Sequence, residues 1–412
     1  MQGKWRVIAA IIFFITLSGT VAGFSAGEIT TFTSPDSSFA GFNAFTDTVD
    51  STLYLSVYEL SSPDVAAEIL ELLGEGKEIS IIVDKSPVGG FPDNEKAILS
   101  ILQVNGATVY LAGDEYRFHH GKYAVADNET LFIATENLGP TGFPLTGSKG
   151  NRGWGAVIED PDLSEYFTRL FFTDRAMAQK FEADEFDLKP SAGGEVFTPV
   201  FRLTRFEGGF EVTPVVAPDN AVPRILSLLD SANETIYIEQ FYIYKYWGKP
   251  KTGSVEKNPN LFLEAAIDAA RRGVTVRILM DSTWYNIERD DPKSNYNTAS
   301  YVNDVARREG LDLEARLVDT GRIGVKKVHA KGVVVDENLV LISSVNWNEN
   351  SPRNNREVGV IIEGAPAEYF ASVFLYDWGV PADHADTGGT SKIFYIVFTG
   401  AVISIFIVRR RR

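Results

Sequence analysis

Two short stretches of this 412-residue chain carry the same reactive side chains at the same spacing. The first, FHHGKYAVADNETLFIATENLG from Phe118, holds His120, Lys122, Asp127, Ala134, Thr135 and Asn137. The second, VHAKGVVVDENLVLISSVNWN from Val328, holds His329, Lys331, Asp336, Ser343, Ser344 and Asn346, with Glu357 eleven residues further on. On a strand, residues two apart point to one face, so each stretch offers an imidazole and an ammonium to one pocket. Asn137 and Asn346 stand where amide donors can join them. Two lysines and two amides suit the non-bridging oxygens of a phosphodiester, whose transition state gathers extra negative charge. One imidazole can attack phosphorus to give a covalent phosphohistidine while the other protonates the leaving oxygen. Water or a second alcohol then resolves the intermediate. The scheme requires no metal.

Each stretch reads as a strand, a tight turn and a return strand. Lys122 to Ala126 and Lys331 to Val335 are short apolar runs fit for buried strands. Asp127-Asn-Glu and Asp336-Glu-Asn are turn clusters, and both aspartates are expected to brace the turn rather than touch substrate. His119 is out of register and is read as incidental.

The pattern His-x-Lys, four residues, Asp, six residues, two small residues, any residue, Asn resembles the HKD signature of the phospholipase D superfamily. The resemblance covers nearly all of the chain between its terminal segments. It implies two α/β repeats related by a pseudo-twofold axis, a site completed by both halves, and no metal or cofactor. Carried over position by position, it gives His120, Lys122, Asn137, His329, Lys331, Asn346 and Glu357 as catalytic, with Asp127, Thr135, Asp336 and Ser344 in support. In two-motif relatives the acidic residue after the second motif contacts the first histidine, which is the nucleophile. Glu357 is therefore expected to orient His120, leaving His329 as general acid. The halves differ here: Asn355-Arg356-Glu357 in the second corresponds to Asn151-Arg152-Gly153 in the first. Gly153 and the Ala134-Thr135 pair depart from the family pattern.

The elements that must position these residues also repeat. Glu28-Ile-Thr-Thr with Ser34-Pro-Asp36 parallels Glu211-Val-Thr-Pro with Ala217-Pro-Asp219. Strands at Leu53–Val57 and Ile236–Gln240 precede helices at Pro63–Leu73 and Leu261–Arg271, each stopped near a glycine. Further strands follow at Ile79–Asp84 and Val274–Asp281. Strands alternating with helices predict α/β halves with mostly parallel sheets: 27–184, a connector at 185–205, and 206–379. Tyr166–Met177 is expected to be a packed helix. The second half carries an insertion, Tyr244–Pro259, and a second polar loop holds Trp284, Tyr285 and Tyr296. Their lysines and rings either rim the site, gripping a headgroup or stacking a base, or pack beneath their own loops.

Composition bounds the setting. With no cysteine, disulfides and thiolate metal sites are excluded. Residues 1–26 read as a signal peptide or N-terminal anchor: Lys4 and Arg6, an apolar run from Val7, then small residues suited to cleavage after Ala22. Ile393–Val408 is apolar and uncharged, and Arg409–Arg412 follow; the expectation is a transmembrane helix at 392–412 with a cytoplasmic arginine tail. A tether at 380–391 would hold an extracytoplasmic body close to the membrane. The chain is acidic, 55 acidic against 39 basic residues for a net −16, and both terminal segments contain only basic charges. The central body is thus more acidic still and has no long-range attraction for nucleic acid or anionic lipid. Three functions fit: a phosphodiesterase acting on phospholipid headgroups by hydrolysis or phosphatidyl transfer, as in cardiolipin synthase-like relatives; a nuclease of the same superfamily; and a non-catalytic phosphate-binding module.

Overall fold

The computed structural model describes residues 23–183 and 194–380. The apolar terminal runs expected to target and anchor the chain lie outside these residues, as do most of the tether and the first part of the connector. Among the described residues no helix is long and apolar enough to cross a membrane.

Among the described residues, fifteen strands form one sheet. In the first half they are β1 (Phe24–Ser34), β2 (Thr52–Val57), β3 (Glu78–Val83), β4 (Thr108–Leu111), β5 (Lys122–Ala126), β6 (Thr130–Ala134), β7 (Gly153–Glu159) and the short β8 (Gln179–Lys180). The second half supplies β9 (Thr204–Ala217), β10 (Thr235–Gln240), β11 (Thr275–Met280), β12 (Leu313–Leu317), β13 (Lys331–Val335), β14 (Leu339–Ser343) and β15 (Glu357–Glu363). The order β12-β11-β10-β13-β14-β15-β9-β1-β7-β6-β5-β2-β3-β4-β8 reads the same from either end apart from β8. That mirror order is the expected pseudo-twofold, and its centre is the antiparallel pair β1–β9. β1 begins at Phe24, so residues 24–26 belong to the sheet and not to the terminal segment.

The α/β class and the two repeats are as expected, whereas strand direction is not mostly parallel. Parallel pairing is confined to β2–β3–β4 and β10–β11–β12. There helices such as Pro63–Gly74 and Leu261–Arg271 make the crossovers that parallel strands need. The strands around each motif are joined by tight turns, which permit only antiparallel neighbours. Both turns place two consecutive non-glycine residues at positive φ: Asp127 and Asn128 at 52° and 59°, Asp336 and Glu337 at 51° and 54°. This is the type I′ geometry that matches strand twist.

Helices Pro161–Arg175 and Ala365–Trp378 close the central core, burying Phe167 and Phe171 from one and Phe370 and Phe374 from the other. This core joins both halves, and each half has a second core on the opposite face of its sheet. Trp154 of β7 is fully buried and stacks on Phe370 of the second half at 5.0 Å between centroids. A Cβ at residue 332 would lie 2.1 Å from its ring, so Gly332 of β13 is what lets the two halves approach. The halves are one packed body.

Candidate active site

Lys122 and Lys331 are the first residues of β5 and β13, and each histidine sits two positions earlier. What fixes the histidines is the other half of the molecule. The His120 N–H donates to the Arg356 carbonyl and the His329 N–H to the Arg152 carbonyl, both at 2.8 Å. Each arginine is locked in turn. Arg152 pairs with Asp36 at 2.5 Å and Asp377 at 2.7 Å; Arg356 pairs with Asp174 at 3.1 Å and Asp219 at 3.0 Å. The repeated Pro-Asp segments noted in the sequence thus serve to hold the arginines that hold the histidines. One residue ahead of each histidine, Asp84 accepts the His119 N–H at 2.6 Å and Asp281 the Val328 N–H at 2.9 Å.

Aromatic rings set the other side of each imidazole. Tyr58 lies edge-on to His120 at 4.6 Å, and Phe241, at the equivalent end of β10, lies edge-on to His329 at 4.7 Å. Lys122 and Lys331 stand over the same two rings at 5.2 and 5.6 Å. Each ammonium also donates to the carbonyl of its own histidine, at 2.6 and 2.7 Å, and Lys331 reaches across to the Thr135 carbonyl at 3.3 Å. Lys122, Lys331 and His329 are buried, and His120 is only slightly more exposed. Burial lowers Lys122 to about 8 against the pull of Glu357 and Glu136, and burial with the charge of Lys122 sends Lys331 well below the usual lysine range. These ammoniums sit where a bound anion would be strongly favoured.

The remaining sequence-selected residues fall into two groups. Glu357 meets His120 across the interface, Oε2 to Nδ1 at 2.7 Å, with its other oxygen accepting from Ser351 at 2.5 Å and Asn355 at 2.8 Å. Burial raises the Glu357 carboxyl, but His120, Lys122 and Ser351 outweigh it and leave it below its ordinary value. Burial lowers His120 to about 4 despite Glu357. At neutral pH a neutral imidazole therefore donates Nδ1–H to a carboxylate, leaving the Nε2 lone pair free. Asn137 and Asn346 lie just past the ends of the return strands; Asn137 donates to Glu59 at 3.2 Å, and the buried Oδ1 of each has no partner among the described residues.

The supporting residues act on the backbone. Asp127 accepts the N–H groups of Asp50, Ser51 and Thr52, and Asp336 those of Asn233, Glu234 and Thr235. Thr135 accepts the Trp154 N–H at 3.0 Å and Ser344 the Val358 N–H at 3.0 Å, pinning each motif to its next strand. His119 is buried against Ser56 at 2.7 Å, with its basicity pushed down by burial to about 3. It is a structural peg.

Reading the motif missed Glu136. Its Oε2 lies 3.4 Å from His329 Nδ1 and accepts from Asn151 at 3.1 Å. A Cβ at residue 153 would meet Glu136 Cγ at 2.3 Å, so Gly153 is the space in which Glu136 lies. The first half does supply a carboxylate, from a different position. No motif marks Glu136, because its counterpart is Val345. Arg152, Arg356, Asp84 and Asp281 carried a usable signal, since each recurs in both halves.

The two loops singled out in the second half differ. Tyr246 and Trp247 of the first are buried beneath it. In the second, Trp284 and Tyr285 are 72% and 42% exposed, and rings run from Trp284 to Tyr285 to Phe241 to His329 at 5.5, 6.4 and 4.7 Å. The equivalent loop of the first half exposes Val88, whose N–H donates to the Tyr58 hydroxyl. Beside the site, a cavity of about 600 Å³ is lined by Lys85, Tyr116, Arg117, Arg353 and neighbours, and includes neither imidazole.

A duplicated α/β fold brings two His–Lys pairs together through reciprocal backbone contacts, a constellation with the charge and donors to hold a phosphate ester. The family described as "cardiolipin synthase, PLD-like domain" matches residues 46–175 and 225–378, one segment in each half. The chain belongs to this phospholipase D-like family, whose members are phosphodiesterases and phosphotransferases. No curated protein matches it. Among solved structures it resembles phosphatidylserine synthase of Haemophilus influenzae Rd KW20, at 13% identity and TM-score 0.58 over 88% of this chain and 89% of that one. It also resembles polyphosphate kinase of Porphyromonas gingivalis, at 11% identity and TM-score 0.51 over 85% of this chain and 50% of that one. The phospholipase D family member Nuc of Salmonella typhimurium matches 37% of this chain and 97% of its own, at 17% identity and TM-score 0.34.

Proposed function

We propose that this protein is a membrane-tethered, extracytoplasmic phosphodiesterase that hydrolyses or transfers phospholipid headgroups through a phosphohistidine on His120. The observation that carries the reading is the 2.7 Å contact between His120 Nδ1 and the fully buried Glu357, which leaves Nε2 as an unprotonated nucleophile. Lys122 and Lys331 take the non-bridging oxygens. His120 Nε2 attacks phosphorus, and Glu357 stabilises the positive charge that the phosphorylated imidazole acquires. His329 delivers a proton to the departing alcohol, then takes one from the water or alcohol that reopens the N–P bond.

Two features favour a lipid. The apolar terminal runs and arginine tail are the pattern of a membrane-held chain. The loops flanking the two imidazoles expose Val88, Trp284 and Tyr285, apolar groups suited to acyl chains at a site mouth. The acidic body is poorly suited to a polyanion.

The test follows headgroup release from phosphatidylcholine, phosphatidylglycerol and phosphatidylethanolamine vesicles beside trimming of end-labelled single-stranded DNA. It uses the full chain with chelator present and His120→Asn as blank. Headgroup release lost in the variant supports the proposal. DNA trimming alone makes the protein a nuclease, and inactivity on both refutes the lipid reading.

A further inference from the structure

We propose that Glu136 rests as a neutral acid and is the proton source for His329, passing its proton to Nδ1 as Nε2–H passes to the leaving oxygen. The inference deepens the catalytic reading above, and rests on its assignment of His329 as the acid, but not on the substrate being a lipid.

The two carboxylates of the site are held in opposite ways. Glu357 receives Ser351 and Asn355 on one oxygen and His120 on the other, so every part of its charge is met. Glu136 is also buried, but among the described residues it receives one hydrogen bond, from Asn151, and its Oε1 has no partner. An ionised carboxylate with a bare buried oxygen is costly, whereas the neutral acid is not. Burial accordingly lifts Glu136 to about 7, although Lys331, Asn151, Lys327 and Lys122 all oppose the rise.

His329 is placed to need such a partner. Its Nδ1 has no hydrogen bond among the described residues and looks at Glu136 Oε2 from 3.4 Å. That is a few tenths of an ångström beyond a hydrogen bond, a gap that active sites close on binding substrate. Burial keeps its cation from forming, and Lys331, Lys327, Lys122 and His120 add to the effect. A general acid that cannot store a positive charge must receive one proton as it gives another.

The relay balances in both half-reactions. In the first, the His120 Nε2–P bond forms as the P–O bond to the leaving group breaks. That oxygen takes the proton of His329 Nε2, and Nδ1 takes the proton of Glu136. His329 ends neutral with its hydrogen moved, and Glu136 ends as a carboxylate bonded to it. In the second, water attacks phosphorus, the N–P bond breaks, the water proton goes to His329 Nε2, and Nδ1 returns its proton to Glu136. Glu136 thus acts through His329, as a positioning and relay residue. Gly153 leaves room for it.

The test is a leaving-group series on the full chain in detergent, from bis(p-nitrophenyl) phosphate through diphenyl phosphate to dibenzyl phosphate, comparing wild type with Glu136→Gln. The amide keeps the shape of the neutral acid but cannot release a proton. The expected loss of kcat is under about tenfold for nitrophenolate, which leaves without a proton, rising to about 10²–10³-fold for the benzyl ester. The alkaline decline of wild-type benzyl-ester turnover, centred near the Glu136 value, disappears in the variant. Because Glu136 side-chain atoms are what a Cβ at residue 153 would meet, the double variant E136A/G153E returns a carboxylate beside His329. It is expected to recover at least tenfold over E136A on the benzyl ester. An equal loss across the series, an unchanged pH profile or no recovery in the double variant overturns the relay. If the wild type cleaves these diesters but no vesicle lipid, the lipid reading fails while the relay stands or falls on its own slope.

Discussion

Replacing Glu357 by glutamine is expected to harm turnover more than replacing it by alanine, although alanine is the greater loss of structure. The reason lies in the two donors on Glu357 Oε1, Ser351 at 2.5 Å and Asn355 at 2.8 Å. They require an acceptor, so the glutamine carbonyl stays with them and its NH₂ turns toward His120 Nδ1. An amide donor there forces Nδ1 to accept, which puts the proton on Nε2 and removes the lone pair that attacks phosphorus. Exchanging the carboxylate that fixes a catalytic histidine's tautomer for an amide costs about 10⁴ in kcat in the Ser-His-Asp triad, and a similar loss is expected here. Alanine imposes no tautomer. It removes one charge-assisted hydrogen bond, about 1.5–3 kcal/mol, or roughly 10–10²-fold in rate. Stability should run the other way, since alanine strands two buried donors at about 1–3 kcal/mol each while glutamine strands none. The assay is nitrophenolate release from bis(p-nitrophenyl) phosphate, normalised to the folded fraction from a circular-dichroism melt. If the glutamine variant turns over as fast as the alanine variant, Glu357 does not set the tautomer of His120 and the reasoning fails.

Two further outcomes follow from the same structure. Asp127→Ala and Asp336→Ala should each lower stability by about 2–3 kcal/mol, because three backbone donors lose their acceptor and alanine tolerates the positive φ poorly. Their kcat per folded molecule should stay within about threefold of wild type, and a large fall in a fully folded sample would place them in the chemistry. Glu95 is buried, accepts the Leu60 N–H at 2.8 Å, and is raised by burial from 4.5 to about 8. Its contribution is fully present below pH 4.5 and lost as pH rises through about 8, since the unfolded chain gives up its proton first. Glu95→Gln, which keeps the acceptor, should therefore gain stability over wild type at pH 8 by an amount on the order of a few kcal/mol, and gain little at pH 4. Equal effects at both values in denaturant titrations would contradict the shift.

The repeated spacing made much of this molecule readable in advance. His120, Lys122, His329 and Lys331 are brought together because a period-two strand leaves them no other face. The turn role of Asp127 and Asp336 follows from their place between two apolar runs. Strand direction differs from the expectation because helix-linked outer strands give a clear alternating pattern, while β5–β6 and β13–β14 turn back across three residues and give none. Gly153 looked like a missing acid because a sequence shows which position is empty, not which neighbour fills it. Glu136 fills it from a position where the other half has Val345, a substitution whose meaning lies only in the packing of β6 against β7. The arginine clamps were visible as repeated residues but silent about purpose, since Arg152 and Asp377 are 225 positions apart.

In the proposed reaction His120 carries the phosphoryl group, and one trapping experiment tests this directly. His329→Ala lacks the group that activates water in the second half-reaction, while a nitrophenolate leaving group needs no acid in the first. Incubated with bis(p-nitrophenyl) phosphate and quenched at alkaline pH, where phosphohistidine survives, this variant should accumulate one covalent nitrophenyl phosphate. Peptide mass spectrometry should locate it on His120, and His120→Asn/His329→Ala should accumulate none. Label on another residue, or wild-type-like turnover by His120→Asn, would contradict the account.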